Sequence, residues 1–323
     1  MDNPFAPLPP IPYRSSLSFH RHRTAMTAAN LARLLLLSAI WGASFMLMRI
    51  SVPAFGPALL IFTRVALAAL FLSAVALYLH KALQAKRLWK HYLVLGLLNS
   101  GLPFLLFAYA AQTLSASLLS VLNACAPLWA SLIGAVWLRA LPAAKAWGGL
   151  LLGVLGVSLL VGVESLRLPA GSGLALAAGL GAAFSYGLAS IYTKNAPAAE
   201  PFAHAHGSMW AAMLLLTPLA LLAPSPPAIP GPAIWLAVLA LGVVCSGVAY
   251  LLYFRLVLEL GAASALTVTF LIPVFGIVWG ALFLQEHIGW HTLAGTLCVL
   301  SGTALVTGFS WRSVCGGAPK AQP

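Results

Sequence analysis

LTVTFLIPVFGIVWGALFLQEHI, Leu266 to Ile288, decides the fold. It is apolar and of helix length, with Pro273 near its middle and Glu286, one of only five acids in the chain, near its end. An earlier stretch, SVLNACAPLWASLIGAVWLRALP from Ser120 to Pro142, has the same layout around Pro127. The two prolines are 146 residues apart. At that spacing Gly96, Gly101, Gly134, Gly149, Gly156 and Gly162 fall on Gly242, Gly247, Gly280, Gly295, Gly302 and Gly308. Such register along most of a chain is the mark of an internal duplication.

Composition sets the environment. The 323 residues are 61% hydrophobic and 7% charged, whereas a soluble domain carries roughly a quarter charged residues. So few charges cannot clothe a water-facing surface, so the chain reads as an integral membrane protein. Its apolar runs are about 20 residues long without two-residue alternation, which predicts spanning helices rather than barrel strands.

Spans are expected near 33–51, 57–79, 90–111, 115–138, 145–163, 172–193, 203–223, 233–256, 261–284 and 290–309. The fold class is therefore an all-α membrane protein of about ten transmembrane helices. Residues 1–32 read as a disordered cytoplasmic tail, proline-rich and basic, with Met26 as an alternative start. Residues 310–323 read as a cytoplasmic C-terminal tail. The two five-helix units cover 33–163 and 172–309. With the N-terminus inside, 14 of the 17 Lys and Arg residues fall on the inner side, a strong orientation signal. Five crossings per unit is odd, so the second unit enters from the opposite face and the repeats are inverted. That arrangement typifies secondary transporters, with a solute site between the halves.

The net charge of +12 is topological, and no basic face with interleaved aromatics suggests nucleic acid. Cys125, Cys245, Cys298 and Cys315 form no CxxC pair, so no disulfide framework or zinc site is indicated. His287 and His291 stand near Glu286, but the intervening turn argues against shared ligation, and no metal or other cofactor is expected. His204 and His206, two apart, would point to different helix faces.

Pro127 and Pro273 should each free the carbonyl four residues back, on Asn123 and Thr269. Two such broken helices would line a central cavity, or they are packing kinks. Trp41, Ser44, Asn99, Tyr109, Tyr186, Tyr250 and Tyr253 supply polar or amphipathic groups within the spans. Individually they fit interhelical bonds or interfacial belts just as well. Arg64 lies well inside span two and either attracts an anion, holds a carbonyl, or snorkels to the outer face. Arg49 and Lys194 read as snorkelling anchors. Glu286 reads as a gate, a coupling carboxylate, or a partner for the start of span ten.

The ordered motifs resemble the EamA type of the drug/metabolite transporter superfamily. SAIWGASFMLMR (Ser38–Arg49) is similar to the family's W-G-x-x-F opening, and PALLIFTRVALAALF follows with Pro57 and Arg64. The second unit opens on AAFSYGLASIYTKN (Ala182–Asn195) and closes on Pro273, Glu286 and LAGTLCVLSGTALVTG. The family usually has a glutamate at the place of Ala140, so a symmetric pair of glutamates is not expected here. The resemblance implies a cavity lined by helices from both halves. It also implies a small-molecule solute and a metabolite or drug-like cargo, with export by alternating access; the charge-poor composition without barrel strands suggests a bacterial inner membrane.

The chain carries no HExxH, no G-x-S-x-G elbow, no P-loop and no paired intramembrane aspartates, so it is not expected to be an enzyme. The competing readings are a lipid-modifying membrane enzyme and a non-transporting scaffold. Substrate, coupling ion and oligomeric state are open at this stage.

Overall fold

The computed structural model describes residues 27–139, 141–164, 171–194, 196, 200–224, 229–265 and 267–308. Among them every regular element is helical. The tails, apart from 27–32, and Ala140 lie outside the described residues.

The first element, α1, runs Ala28–Tyr78. A continuous helix of 51 residues would be about 76 Å long, more than twice the hydrocarbon thickness. It is broken at Gly56, where φ is 67° and ψ is 163°. That left-handed φ suits glycine, and the residue before Pro57 is pushed to extended ψ. Spans one and two are therefore two arms joined at one residue rather than across the expected 52–56 break. The arms touch: the Arg64 guanidinium lies 3.7 Å from the Met48 sulfur.

Next come α2 (Ala85–Gly96), a π-helical segment (Leu97–Gly101) and α3 (Leu102–Ala110). Then follow α4 (Ala116–Asn123), α5 (Ala126–Leu138) and α6 (Ala144–Glu164). The second half begins with α7 (Gly173–Lys194) and α8 (Pro201–Leu221). It continues with α9 (Pro232–Leu239), a second π-helical segment (Ala240–Val248) and α10 (Ala249–Leu260). The last elements are α11 (Ala262–Ala265), α12 (Val268–Leu284) and α13 (Trp290–Thr307). Among the described residues six of the resulting rods are long and apolar enough to cross a bilayer: 28–78, 85–110, 116–137, 144–162, 173–194 and 232–260. The outside is oily, with Leu36, Leu70, Leu155, Leu174, Leu236 and Leu297 exposed, while Ser38, Ser51, Ser100, Ser246 and Thr303 are buried. That inversion suits a surface solvated by lipid. The chain is a multi-pass membrane protein.

The duplication is visible in backbone detail. Both π-helical segments end at or just past matched glycines, Gly101 and Gly247. α5 and α12 both stop on a left-handed residue, Arg139 (φ 49°) and Gln285 (φ 53°), again 146 apart.

The contacts between halves are reciprocal. A Cβ built on Gly149 would stand 2.6 Å from the Gly302 carbonyl oxygen, and one on Gly156 would stand 2.7 Å from that of Gly295. Gly295 and Gly302 are the repeat partners of Gly149 and Gly156. Contacts of the form i to j′ and j to i′ define a two-fold, isologous pairing. Gly42 against Phe275 and Gly276 is matched by Gly187 against Trp129 and Ala130, and Gly96 against Ser208 and Ala211 by Gly242 against Arg64 and Leu67. The shared contacts give offsets of 145 for the first arm of α1 and 144 for its second, so Trp41 pairs with Tyr186 and Arg64 with Ser208. The two arms differ from the offset of 146 because the loops between these helices differ in length.

The proline expectation needs correction. In the first unit the helix breaks at Ala124 and Cys125, and Pro127 sits in the first turn of α5, where a missing N–H costs nothing. The Thr303 hydroxyl donates to the Ala124 carbonyl at 3.0 Å, closing that break from α13. Pro273 is inside α12, whose break lies earlier, around Gly261 and Thr267. The two prolines are thus not a matched pair of mid-helix kinks. Thr303→Val is expected to lower stability by about 1 kcal/mol by stranding the Ala124 carbonyl, while Thr303→Ser is neutral. Thermal unfolding of the detergent-purified protein reads the difference.

Candidate functional site

Helices from both halves meet around a belt of aromatic and polar side chains. The first arm of α1 supplies Trp41, whose Nε1–H donates to the Cys245 carbonyl at 3.2 Å. Cys245 lies in the second π-helical segment, whose wider turn displaces carbonyls from the regular ladder. The Ser185 hydroxyl uses the first segment in the same way, donating to the Leu98 carbonyl at 2.8 Å. Each π-segment therefore offers a backbone acceptor to a helix of the opposite half.

The aromatic pairs follow the two-fold. Trp41 lies 5.6 Å from Tyr253, and its repeat partner Tyr186 lies 6.2 Å from Phe107, the partner of Tyr253. Trp41 also meets the edge of Tyr250 at 6.1 Å. Asn99 Nδ2–H donates to the Tyr250 hydroxyl at 3.3 Å, across the halves. Trp41 and Asn99 therefore meet at Tyr250 in one belt, and Tyr186 packs on Phe107 at the matching place of the other half. Two shallow grooves, of about 410 Å³ beside Trp235 and about 190 Å³ beside Phe254, lie elsewhere.

Other expected residues fall differently. The Ser44 hydroxyl donates to the Trp41 carbonyl of its own helix at 2.7 Å, so it turns inward along α1. Asn123 ends α4 and Thr269 lies in the first turn of α12, both half-buried. Tyr109 is exposed.

Arg64 does not snorkel. It is 2% exposed. Its Nε–H donates to the Ser246 hydroxyl at 2.8 Å, and its guanidinium carbon stands 3.7 Å over the Phe104 ring. The planar, weakly hydrated guanidinium tolerates such stacking. Phe104 and Ser246 escaped the sequence reading. Phe104 was findable, because it is the partner of Tyr250 at the repeat spacing. Ser246 was findable in the same way, as the partner of Ser100 at that spacing.

Glu286 forms a second cluster at the other end of the bundle. Its carboxylate does not reach the start of α13; it caps α4 in the first half. It accepts from Ala116 N–H at 2.7 Å, Ser117 N–H at 3.0 Å and the Ser117 hydroxyl at 2.6 Å. Gly280 makes room, since a Cβ there would stand 2.4 Å from the carboxylate. Arg49 is not a free anchor. It donates to the Ala111 and Leu114 carbonyls at 3.2 and 2.5 Å and stands 3.9 Å from Glu286. Lys194, its repeat partner, is exposed.

A third cluster gathers His91, within 2.9 Å of the Tyr192 hydroxyl and 2.7 Å of His204 Nδ1. His206 turns instead to Ser73, at 2.9 Å. Among the described residues no group of three His, Cys, Asp or Glu side chains is arranged for a metal, and Cys125, Cys245 and Cys298 are free thiols.

Two helical units, paired across a two-fold and meeting in an aromatic belt, define a duplicated membrane-transport fold. The EamA-like transporter family model matches residues 31–162 and again 173–308, and the chain belongs to that family. It is accordingly a membrane transporter of the drug/metabolite transporter superfamily, a family of transporters rather than enzymes. A crystal structure 18% identical to the chain superposes with a TM-score of 0.61 over 86% of this chain and 96% of its own, a likeness of fold. No curated protein matches the chain.

Proposed function

We propose that the chain is a secondary exporter of a small organic solute, working by alternating access between two inverted five-helix repeats. In this reading ten helices cross a bacterial inner membrane, with units at 33–163 and 172–309. The tails at 1–32 and 310–323 lie in the cytoplasm. The observation that carries it is the two-fold aromatic belt, Trp41 with Tyr253 and Tyr186 with Phe107. A site built equally from both halves is what a rocking pair of repeats presents to each face in turn.

The charge pairs support the orientation. Arg33–Glu259 at 2.6 Å and Lys81–Glu200 at 2.7 Å join segments assigned to the inner side. Arg49 and Glu286 cluster with the 111–117 segment assigned to the outer side. With Trp41 and Asn99 both meeting Tyr250 across the halves, transport in this reading requires the belt to part. Outward direction rests on the resemblance to the family, and the bacterial inner-membrane setting on the charge-poor composition without barrel strands.

Metabolite profiles of medium from cells lacking and overproducing the protein test this reading. Overproduction is expected to raise at least one external organic solute. Trp41→Leu and Tyr186→Leu should each lower its export by up to about tenfold, the equivalent of ~1.4 kcal/mol of lost aromatic contact. Coincident profiles, at verified membrane expression, would discard the exporter.

A further inference from the structure

Arg64 carries a charge that the described protein does not neutralise. The chain has five acids. Three of them have described side chains, and all three are engaged elsewhere. Glu200 pairs with Lys81, Glu259 with Arg33 and Arg255, and Glu286 with the start of α4 and Arg49. Asp2 lies outside the described residues, and Glu164 is the last residue of α6. Among the described residues no carboxylate reaches Arg64. Its partners are the Ser246 hydroxyl, the Met48 sulfur and the Phe104 ring, all neutral.

Placing an ionised side chain in a bundle core without a counter-charge is expensive, and such residues mark substrate pathways. Symmetry offers no structural reason for it. The equivalent position in the second half is Ser208, buried, with its hydroxyl donated to the Ala205 carbonyl of its own helix. The fold therefore accommodates a small neutral residue at this place and carries a guanidinium on one side only.

The surroundings define a ligand. A guanidinium has five N–H donors in a planar fork. One is spent on Ser246, and the sulfur of Met48 is a weak acceptor. A carboxylate matches the remaining fork and supplies one negative charge. The guanidinium lies over the Phe104 ring, its partner Ser246 follows Cys245, whose carbonyl takes the Trp41 indole N–H, and Trp41 packs on Tyr250, so the anion's neighbour is an aromatic wall. We infer that Arg64 is the anion-recognition point of the path, and that the solute is an organic monocarboxylate with an apolar, flat body. This inference rests on the transport reading above.

Arginine-directed modification of the intact wild-type protein by phenylglyoxal, read by peptide mass spectrometry at Arg64, is the test. Arg87, exposed on α2, reports reagent activity. Arg64 is expected to react as the belt opens. Benzoate, hippurate or hexanoate at about five times its Kd should slow that reaction about sixfold by occupancy, and the matching amides should leave it unchanged. Arg64 remaining unmodified while Arg87 reacts would make it a purely structural cation and overturn the inference. So would modification that none of the carboxylates slows more than its amide. The two readings fail separately. Protection of Arg64 in a protein that exports no solute keeps the anion site and removes the transporter. Export of neutral solutes with no protection does the reverse.

Discussion

Glu286→Ala is expected to cost about 3 kcal/mol of stability, the scale for stripping one partner from a buried charged cluster. The carboxylate is mostly buried, 11% exposed, and it receives two backbone N–H groups and one hydroxyl at the start of α4. The partial positive charge of a helix start adds to the attraction. Alanine leaves the N–H groups of Ala116 and Ser117 without that acceptor in an apolar setting, and it leaves Arg49 beside them without its anion. Glu286→Gln keeps an acceptor oxygen and loses the charge, so its loss should be about half as large. Unfolding of the purified protein by heat or denaturant would read both. An alanine variant with an unchanged midpoint would show that the carboxylate does not hold α4. In the transport reading the same cluster is the outer clamp. The first half, with Ala140 where a glutamate would stand, has no equivalent acid for the inner face. Opening is then controlled unequally on the two sides.

The second large effect concerns close packing. Gly156→Val and Gly302→Val are each expected to cost about 3 kcal/mol or more, at or beyond the upper end of ordinary overpacking. A Cβ at Gly156 would meet the Gly295 carbonyl oxygen at 2.7 Å and the Val299 nitrogen at 2.8 Å, and one at Gly302 would meet the Gly149 carbonyl oxygen at 2.5 Å. These are backbone atoms, which cannot rotate aside as a side chain would. Gly148 and Gly162 face open space, so Gly148→Ala and Gly162→Ala on the same helix should be silent. Loss of monodisperse protein from membranes expressing the first pair, with normal yield for the second, is the expected pattern. Equal yields in all four would mean that α6 and α13 do not pack by their backbones.

The glycine register made the duplication legible because glycine spacing reports backbone approach, and backbone approach is conserved by the geometry of packed helices. Trp41, Tyr186 and Tyr250 were legible as amphipathic groups in apolar runs. Arg64 was visible, but its direction was not. A sequence shows a charge in a span and says nothing of the Phe104 ring under it. The bonding partners of Glu286 were hidden for a related reason. They are 170 and 169 residues away at Ala116 and Ser117, and local spacing pointed instead to the neighbouring helix start. Pro127 misled because a proline reads alike in mid-helix and in a first turn, and the Ala124 carbonyl at the break finds its donor, Thr303, on another helix. The π-helical segments have no compositional mark beyond their glycines.

The α6 and α13 contact has one more consequence. Because Gly149 meets Gly302 while Gly156 meets Gly295, the gluing surface of each half is complementary to itself. At this seam a lone unit with these glycines presents a surface that a second copy related by the two-fold can match. The covalent link between the halves then frees each to diverge away from that seam. A cation at Arg64 opposite a hydroxyl at Ser208, and an acid at Glu286 where the other half has Ala140, are differences that two identical chains could never acquire.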